Sequence, residues 1–153
     1  MKKIITIIAA IFVFASAAAI AQPRAIGIRG GYGVEASYQH TVGSNFIEAD
    51  LGFGFGFGSR CNYSMATAIY DFSLYKVDNF NFYAGPGLQL ALYPSENVPV
   101  GFSMGIVGQA GVEYQFKAPI NLSLDWRPAF QFIDVKNLGF RGESIMLGFR
   151  YRF

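Results

Sequence analysis

Ten charged side chains recur on one face of segments in which apolar and polar residues alternate. They are Arg29, Glu35, Glu48, Asp50, Asp71, Glu113, Asp125, Arg127, Arg150 and Arg152. Guanidiniums and carboxylates that share a confined space are expected to pair, because the planar arginine fork offers two parallel donors to a carboxylate. Neighbouring carboxylates such as Glu48 and Asp50 could do acid–base work, but so many arginines favour salt bridges. The pattern predicts an ion-pair network, with a narrow ion path or gate as the alternative.

Other reactive groups are sparse. His40 is the single histidine, and the alternation places it on the opposite face near a turn, which does not suit a Ser–His–Asp arrangement. Cys61 is the single cysteine, so no intrachain disulfide can form. No His/Cys/Asp group has metal-ligand spacing, and the glycines of Gly85-Pro86-Gly87 lack the strand-to-helix context of a phosphate loop. We expect no catalytic site, no metal and no cofactor.

The elements that position these charges are predicted to be strands, since the side chains alternate with a period of two. The last segment is the clearest. One face carries Ile145, Leu147, Phe149, Tyr151 and Phe153, and the other carries Ser144, Met146, Gly148, Arg150 and Arg152. Similar strands are predicted in 120–132, 102–116, 80–93, 65–74 and 47–58, separated by turn residues. Pro128 cannot donate to a ladder, so it predicts a bulge or a strand rim.

The segment Ala25 to Val42 can be read as one long strand or as two strands broken at the glycines near Gly30. Two strands give a total of eight. Single-chain bacterial barrels have an even number of strands, so the two-strand interpretation is preferred.

The amino terminus resembles a signal peptide. Lys2 and Lys3 precede an apolar run, and the small residues Ala19 and Ala21 form a cleavage site before Gln22. We expect residues 1–21 to be removed and residues 22–153 to form one domain. Without Lys2 and Lys3, the twelve basic residues fall to ten, which equals the ten acidic ones. Nucleic-acid binding is therefore not expected.

The composition points to a membrane. It is 52% hydrophobic, yet after residue 21 no apolar run approaches the roughly 20 residues of a spanning helix. A closed barrel is the other structure that can satisfy all backbone hydrogen bonds in lipid. The apolar faces are too large for the narrow interior of an eight-stranded barrel. The sequence thus predicts an all-β, eight-stranded, antiparallel up-and-down transmembrane barrel with its apolar face toward lipid.

The carboxyl terminus, Gly148-Phe149-Arg150-Tyr151-Arg152-Phe153, is an alternating strand closed by phenylalanine. In this the chain resembles the small bacterial outer-membrane β-barrel proteins of the OmpA/OmpX type. The resemblance implies location in the outer membrane and contact with its lipid. It also implies that Phe149, Tyr151 and Phe153 form the signal read by the barrel-assembly machinery.

Two functions remain open at this point. The first is a non-catalytic structural or surface-interaction barrel with a lumen plugged by salt bridges. The second is a narrow channel for small solutes or ions. We expect a monomer, and the sequence does not name a surface partner.

Overall fold

The computed structural model describes residues 23–31, 33–55, 62–93, 101–134, 139–142 and 144–153. None of these residues belongs to a helix that is long and apolar enough to span a membrane. The predicted signal peptide, with Ala19 and Ala21, lies outside the described residues, and so does Cys61.

The described residues form ten β-strands. These are β1 (Arg24–Gly31), β2 (Val34–Val42), β3 (Asn45–Phe55), β4 (Asn62–Val77), β5 (Phe80–Tyr93), β6 (Gly101–Gln115), β7 (Ile120–Trp126), β8 (Ala129–Asp134), β9 (Gly139–Arg141) and β10 (Ile145–Arg152). Strands β1 and β2 are separate, so the two-strand interpretation of the first segment is confirmed.

The strands form one antiparallel sheet that closes on itself. Pairing runs in the order β5-β4-β3-β2-β1-β10-β7-β6, and β5 also pairs with β6. Strand β8 continues along β6 where β7 stops, and β9 pairs with β8 in the same way that β10 pairs with β7. The pairs β7–β8 and β9–β10 are therefore two interrupted wall strands. The described residues build a closed barrel of eight wall strands, as predicted.

The interruption between β7 and β8 occurs at Arg127 and Pro128. The Pro128 carbonyl accepts a hydrogen bond from the Gly108 amide at 2.8 Å, so the wall remains paired across the break. The Arg127 amide donates to the Ser144 carbonyl at 2.8 Å. The irregularity predicted from Pro128 is confirmed. It leaves the Arg127 side chain buried in the interior, with 3% of its surface exposed.

The two faces of the wall differ sharply in polarity. Large apolar side chains point outward, and Ile28 and Phe53 are 62% and 61% exposed. Their sequence neighbours Arg29 and Gly52 are buried on the inner face. A water-soluble barrel would place the apolar face inside, whereas a membrane barrel places it toward lipid. The predicted orientation of the faces is confirmed.

One end of the barrel is made of short connections. Two-residue turns join β2 to β3 at Gly43-Ser44 and β4 to β5 at Asp78-Asn79. Gly43 (φ 64°) and Asp78 (φ 50°) lie in the left-handed region, which glycine and aspartate tolerate better than most residues. The start of β1 and the end of the chain meet at this same end, where the backbone amide of Phe153 donates to the Arg24 carbonyl at 2.8 Å. We call it the turn end.

The middle of the barrel is filled, and glycine provides part of the space for the side chains. A Cβ atom on Gly111 would lie 2.6 Å from the Cβ of Asp125 and 2.7 Å from the hydroxyl of Tyr83. The glycine thus allows Tyr83 of β5, which is 2% exposed, to reach over β6 to Asp125 on β7. An eight-stranded barrel is just wide enough for such side chains.

Candidate functional site: the charged lumen

Seven of the predicted charged residues meet in the middle of the barrel. The strand alternation turns each of them inward, from β1, β2, β3, β7, β10 and the break after β7. They are Arg29, Glu35, Glu48, Asp50, Asp125, Arg127 and Arg150, and each is at most 4% exposed. We call this group the central network.

Arg29 on β1 contacts four carboxylates. Its Nη1 lies 2.8 Å from Asp50 Oδ2, 3.0 Å from Glu48 Oε1 and 3.2 Å from Glu35 Oε2. Its Nη2 pairs with Asp125 on β7, two wall strands away from β1. Removing charges from water costs several kcal/mol per ion, and only close pairing offsets that cost. Arg29 therefore ties β1 to β2, β3 and β7.

Arg127 contacts the same acidic group from the opposite side. Its Nη2 lies 2.6 Å from Asp50 Oδ2 and 2.8 Å from Glu48 Oε1, and its Nη1 lies 3.2 Å from Glu35 Oε2. Its Nε also donates to the side-chain carbonyl of Gln109 at 2.9 Å. Arg127 thus joins β2 and β3 to the wall formed by β6 and β7.

Arg150 completes the network from β10. Its Nη2 lies 2.9 Å from Glu48 Oε2. Its Nε donates to the Ser37 hydroxyl at 2.9 Å, and its Nη1 donates to the Ser123 hydroxyl at 2.8 Å. Glu48, which is fully buried, therefore contacts all three guanidiniums and is the hub of the lumen.

The acidic groups outnumber the basic ones. Three guanidiniums face the four carboxylates of the central network. Asp71 adds a fully buried carboxylate, which accepts from Gln109 Nε2 at 3.5 Å. One oxygen of Asp50 and one of Asp71 have no hydrogen-bond partner among the described residues. The lumen therefore has a surplus of two carboxylates.

Three predicted members do not join the ion pairs, and here the prediction is corrected. Within the part of the chain that the structure describes, no ion pair involves Asp71, Glu113 or Arg152. Glu113 accepts instead from the side-chain amides of Gln115 and Asn121 at 2.9 and 2.8 Å. Arg152 donates to Gln115 and to two backbone carbonyls. Glu113 and Arg152 lie near the turn end, away from the level of the central network.

Neutral residues of the network were not singled out from the sequence. Gln39 and Gln109 donate to Glu48 at 2.9 and 3.4 Å, and the Tyr83 hydroxyl donates to Asp125 at 3.3 Å. Their inward position on each strand was the available signal, but amides and hydroxyls on a polar face do not reveal their partners.

His40 and the carboxyl-terminal aromatic residues lie outside the lumen. His40 lies on β2 beside Tyr38, and their rings stack with centroids 6.4 Å apart. The carboxyl-terminal aromatics face outward, with Phe149, Tyr151 and Phe153 exposed by 50%, 53% and 59%. Their role as an assembly signal stays a prediction.

Among the described residues, no three His, Cys, Asp or Glu side chains are grouped so that they could hold a metal ion.

Comparison with known proteins finds similarity in structure and none in sequence families. No protein-family profile matches the sequence, and a search of curated proteins returns no match. Among solved structures, the chain is similar to Neisserial surface protein A (NspA). The TM-score is 0.61 at 18% sequence identity, over 86% of this chain and 94% of that one. It is also similar to a major outer membrane protein from Thermus thermophilus. Here the TM-score is 0.55 at 12% identity, over 87% of this chain and all of that one.

Both neighbours are outer-membrane or surface proteins by name, and both share the barrel over nearly the whole chain. The outer face of this barrel is apolar, as a barrel surrounded by lipid requires. The chain therefore has the fold and the lipid-facing surface of a small outer-membrane β-barrel.

Proposed function

We propose that the protein resides in the bacterial outer membrane as a non-catalytic barrel whose lumen is plugged by salt bridges, and that it serves a structural or surface-interaction role. The observation that carries the proposal is the span of the central network. Arg127, at the break after β7, lies 2.6 Å from Asp50 and 2.8 Å from Glu48 on β3, the strand on the opposite side of the barrel. Arg29 on β1 contacts carboxylates of β3 and, on the other side of β1, Asp125 of β7.

A solute that passed through the barrel would have to break these contacts. Each buried pair is costly to break, because the remaining charge keeps its desolvation cost without its partner. A second buried cluster, formed by Ile69, Val107 and Ala129, fills another part of the interior with apolar side chains. Both features favour a sealed lumen.

The proposed surface-interaction role depends on the outer face of the barrel. The Neisserial neighbour is named a surface protein. In this chain, exposed aromatic and aliphatic side chains continue along β8 and β9, where Phe132, Ile133 and Phe140 are 43%, 47% and 67% exposed. We propose lipid as the main contact, the barrel-assembly machinery as the partner during insertion, and a monomer as the working form.

The second candidate is a narrow channel for ions or small solutes, and the surplus of buried carboxylates favours it. A lumen with more carboxylates than guanidiniums would select cations if its contacts opened, because charged rings set the selectivity of pores.

Single-channel recording in planar bilayers tests the choice. The mature protein is expected to be silent, while Arg127→Ala is expected to give a low conductance or none. Stable openings of the unmodified protein, with an ion selectivity that changes in Arg127→Ala, would overturn the proposal of a plugged lumen. A pull-down from intact membranes would identify a surface partner.

A further inference from the structure

A second polar space lies at the turn end, outside the central network. It is a cavity of about 240 Å³ lined by residues near the turns, the start of β1 and the end of β10, among them Arg24, Ser44 and Arg152. Roughly eight water molecules would fill it at about 30 Å³ each. It is smaller than the pockets of about 300 Å³ and above that hold drug-sized ligands. Its size suits an amino acid or a dipeptide.

The deep part of the cavity is rich in acceptors. Glu113 is 4% exposed, and both of its oxygens accept from neutral amides rather than from a cation. Asn81 and Asn121 are 5% and 2% exposed, and the side-chain oxygen of each has no partner among the described residues. A buried carboxylate held only by neutral amides favours a positively charged donor, and the two unpaired carbonyls can accept further hydrogen bonds from it.

The lining also carries cations that are more exposed. Lys76 lies on the exposed part of β4. Arg24, at the start of β1, and Arg152, at the end of β10, are half-buried. The Nε of Arg152 has no acceptor among the described residues. The lining therefore combines a buried carboxylate with more exposed ammonium and guanidinium groups.

We propose that this cavity binds a small zwitterion, an amino acid or the equivalent of a dipeptide. The ammonium group of the ligand lies against Glu113, Asn81 and Asn121, and its carboxylate lies against Lys76 and Arg152. Charge-assisted hydrogen bonds at both ends supply the affinity and the orientation. Short turns face the periplasm in outer-membrane barrels, so the cavity takes its ligand from the periplasmic side. This binding is separate from the proposed plugging of the lumen.

Calorimetric titration of the full mature chain in detergent micelles tests the proposal with three probes. Glycylglycine carries both charges, N-acetylglycylglycine lacks the ammonium, and glycylglycine amide lacks the carboxylate. We expect saturable binding of glycylglycine with a dissociation constant on the order of 1 mM. Each blocked probe is expected to bind about tenfold more weakly or not at all.

Variants locate the site. Lys76→Gln is expected to weaken glycylglycine binding about threefold, as for one exposed charge–charge contact. Lys117→Gln is the matched control, because this lysine is exposed on a turn and does not line the cavity. Glu113→Gln is expected to weaken binding about tenfold. Absence of saturable binding, equal binding of all three probes, or an equal loss in Lys76→Gln and Lys117→Gln would overturn the proposal.

Discussion

Replacing Arg127 by methionine tests whether the central network holds the barrel together. Methionine retains much of the side-chain volume and removes the charge. The change deletes the contacts to Asp50, Glu48 and Glu35 at 2.6, 2.8 and 3.2 Å. Breaking a buried pair by removing one partner costs about 3–5 kcal/mol. Arg29 still contacts the same three carboxylates, so we expect a loss of about 4 kcal/mol rather than the upper limit.

The carboxylate surplus predicts a rescue. Asp50→Asn alone should cost about 1 kcal/mol, because Glu48 and Glu35 continue to pair with both guanidiniums. In the Arg127→Met background the same change removes a negative charge that has lost a partner. The double variant should therefore be more stable than Arg127→Met by about 2 kcal/mol.

Urea unfolding in lipid vesicles, followed by the fluorescence of the single tryptophan, measures these free energies. Arg152→Met is the matched control, since Arg152 also points inward but bonds to Gln115 and to backbone carbonyls. We expect it to cost about 1 kcal/mol. Additive effects of Arg127→Met and Asp50→Asn, or an equal loss in Arg152→Met, would refute the reasoning.

Two further predictions concern packing and assembly. Gly111→Ala should lower the free energy of unfolding by about 1–3 kcal/mol, because the added Cβ would overlap Tyr83 and Asp125. In the control Gly30→Ala, the added Cβ meets nothing within 4 Å, so this change should be neutral. Urea titration compares the two variants, and equal stability would contradict a packed lumen. Deletion of Phe153 should slow insertion into vesicles that contain the barrel-assembly machinery more than Phe102→Ala does, as seen by the heat-dependent gel shift. Equal insertion of the two variants would contradict a role of the terminal aromatic in assembly.

The direction of most side chains could be predicted from the sequence. Alternation with a period of two places Arg150 inward and Phe149 outward whatever the pairing partner is. The same rule placed the charges of β1, β2, β3, β7 and β10 in the lumen. Pro128 indicated the strand break, because proline has no backbone N–H to donate to a neighbouring strand.

The partners of each charge could not be predicted in this way. Alternation shows that Asp125 and Glu113 point inward, but not how far along the barrel axis each one lies. That height depends on the register and tilt of all eight wall strands together. Asp125 consequently meets Arg29, while Glu113 meets amides near the turn end. The cavity at the turn end was missed for the same reason, since its lining comes from strands distant in sequence.

The central claim is that the apolar outer face of the barrel lies in lipid, and Trp126 tests it most directly in the unmodified protein. This side chain is 45% exposed on the outer face of β7, between the outward-facing Leu124 and the break at Arg127. Its fluorescence is measured in vesicles whose acyl chains carry bromine, and separately with iodide in the water. The account predicts strong quenching by the brominated lipid and little by iodide. Strong quenching by iodide with no effect of the brominated chains would contradict it.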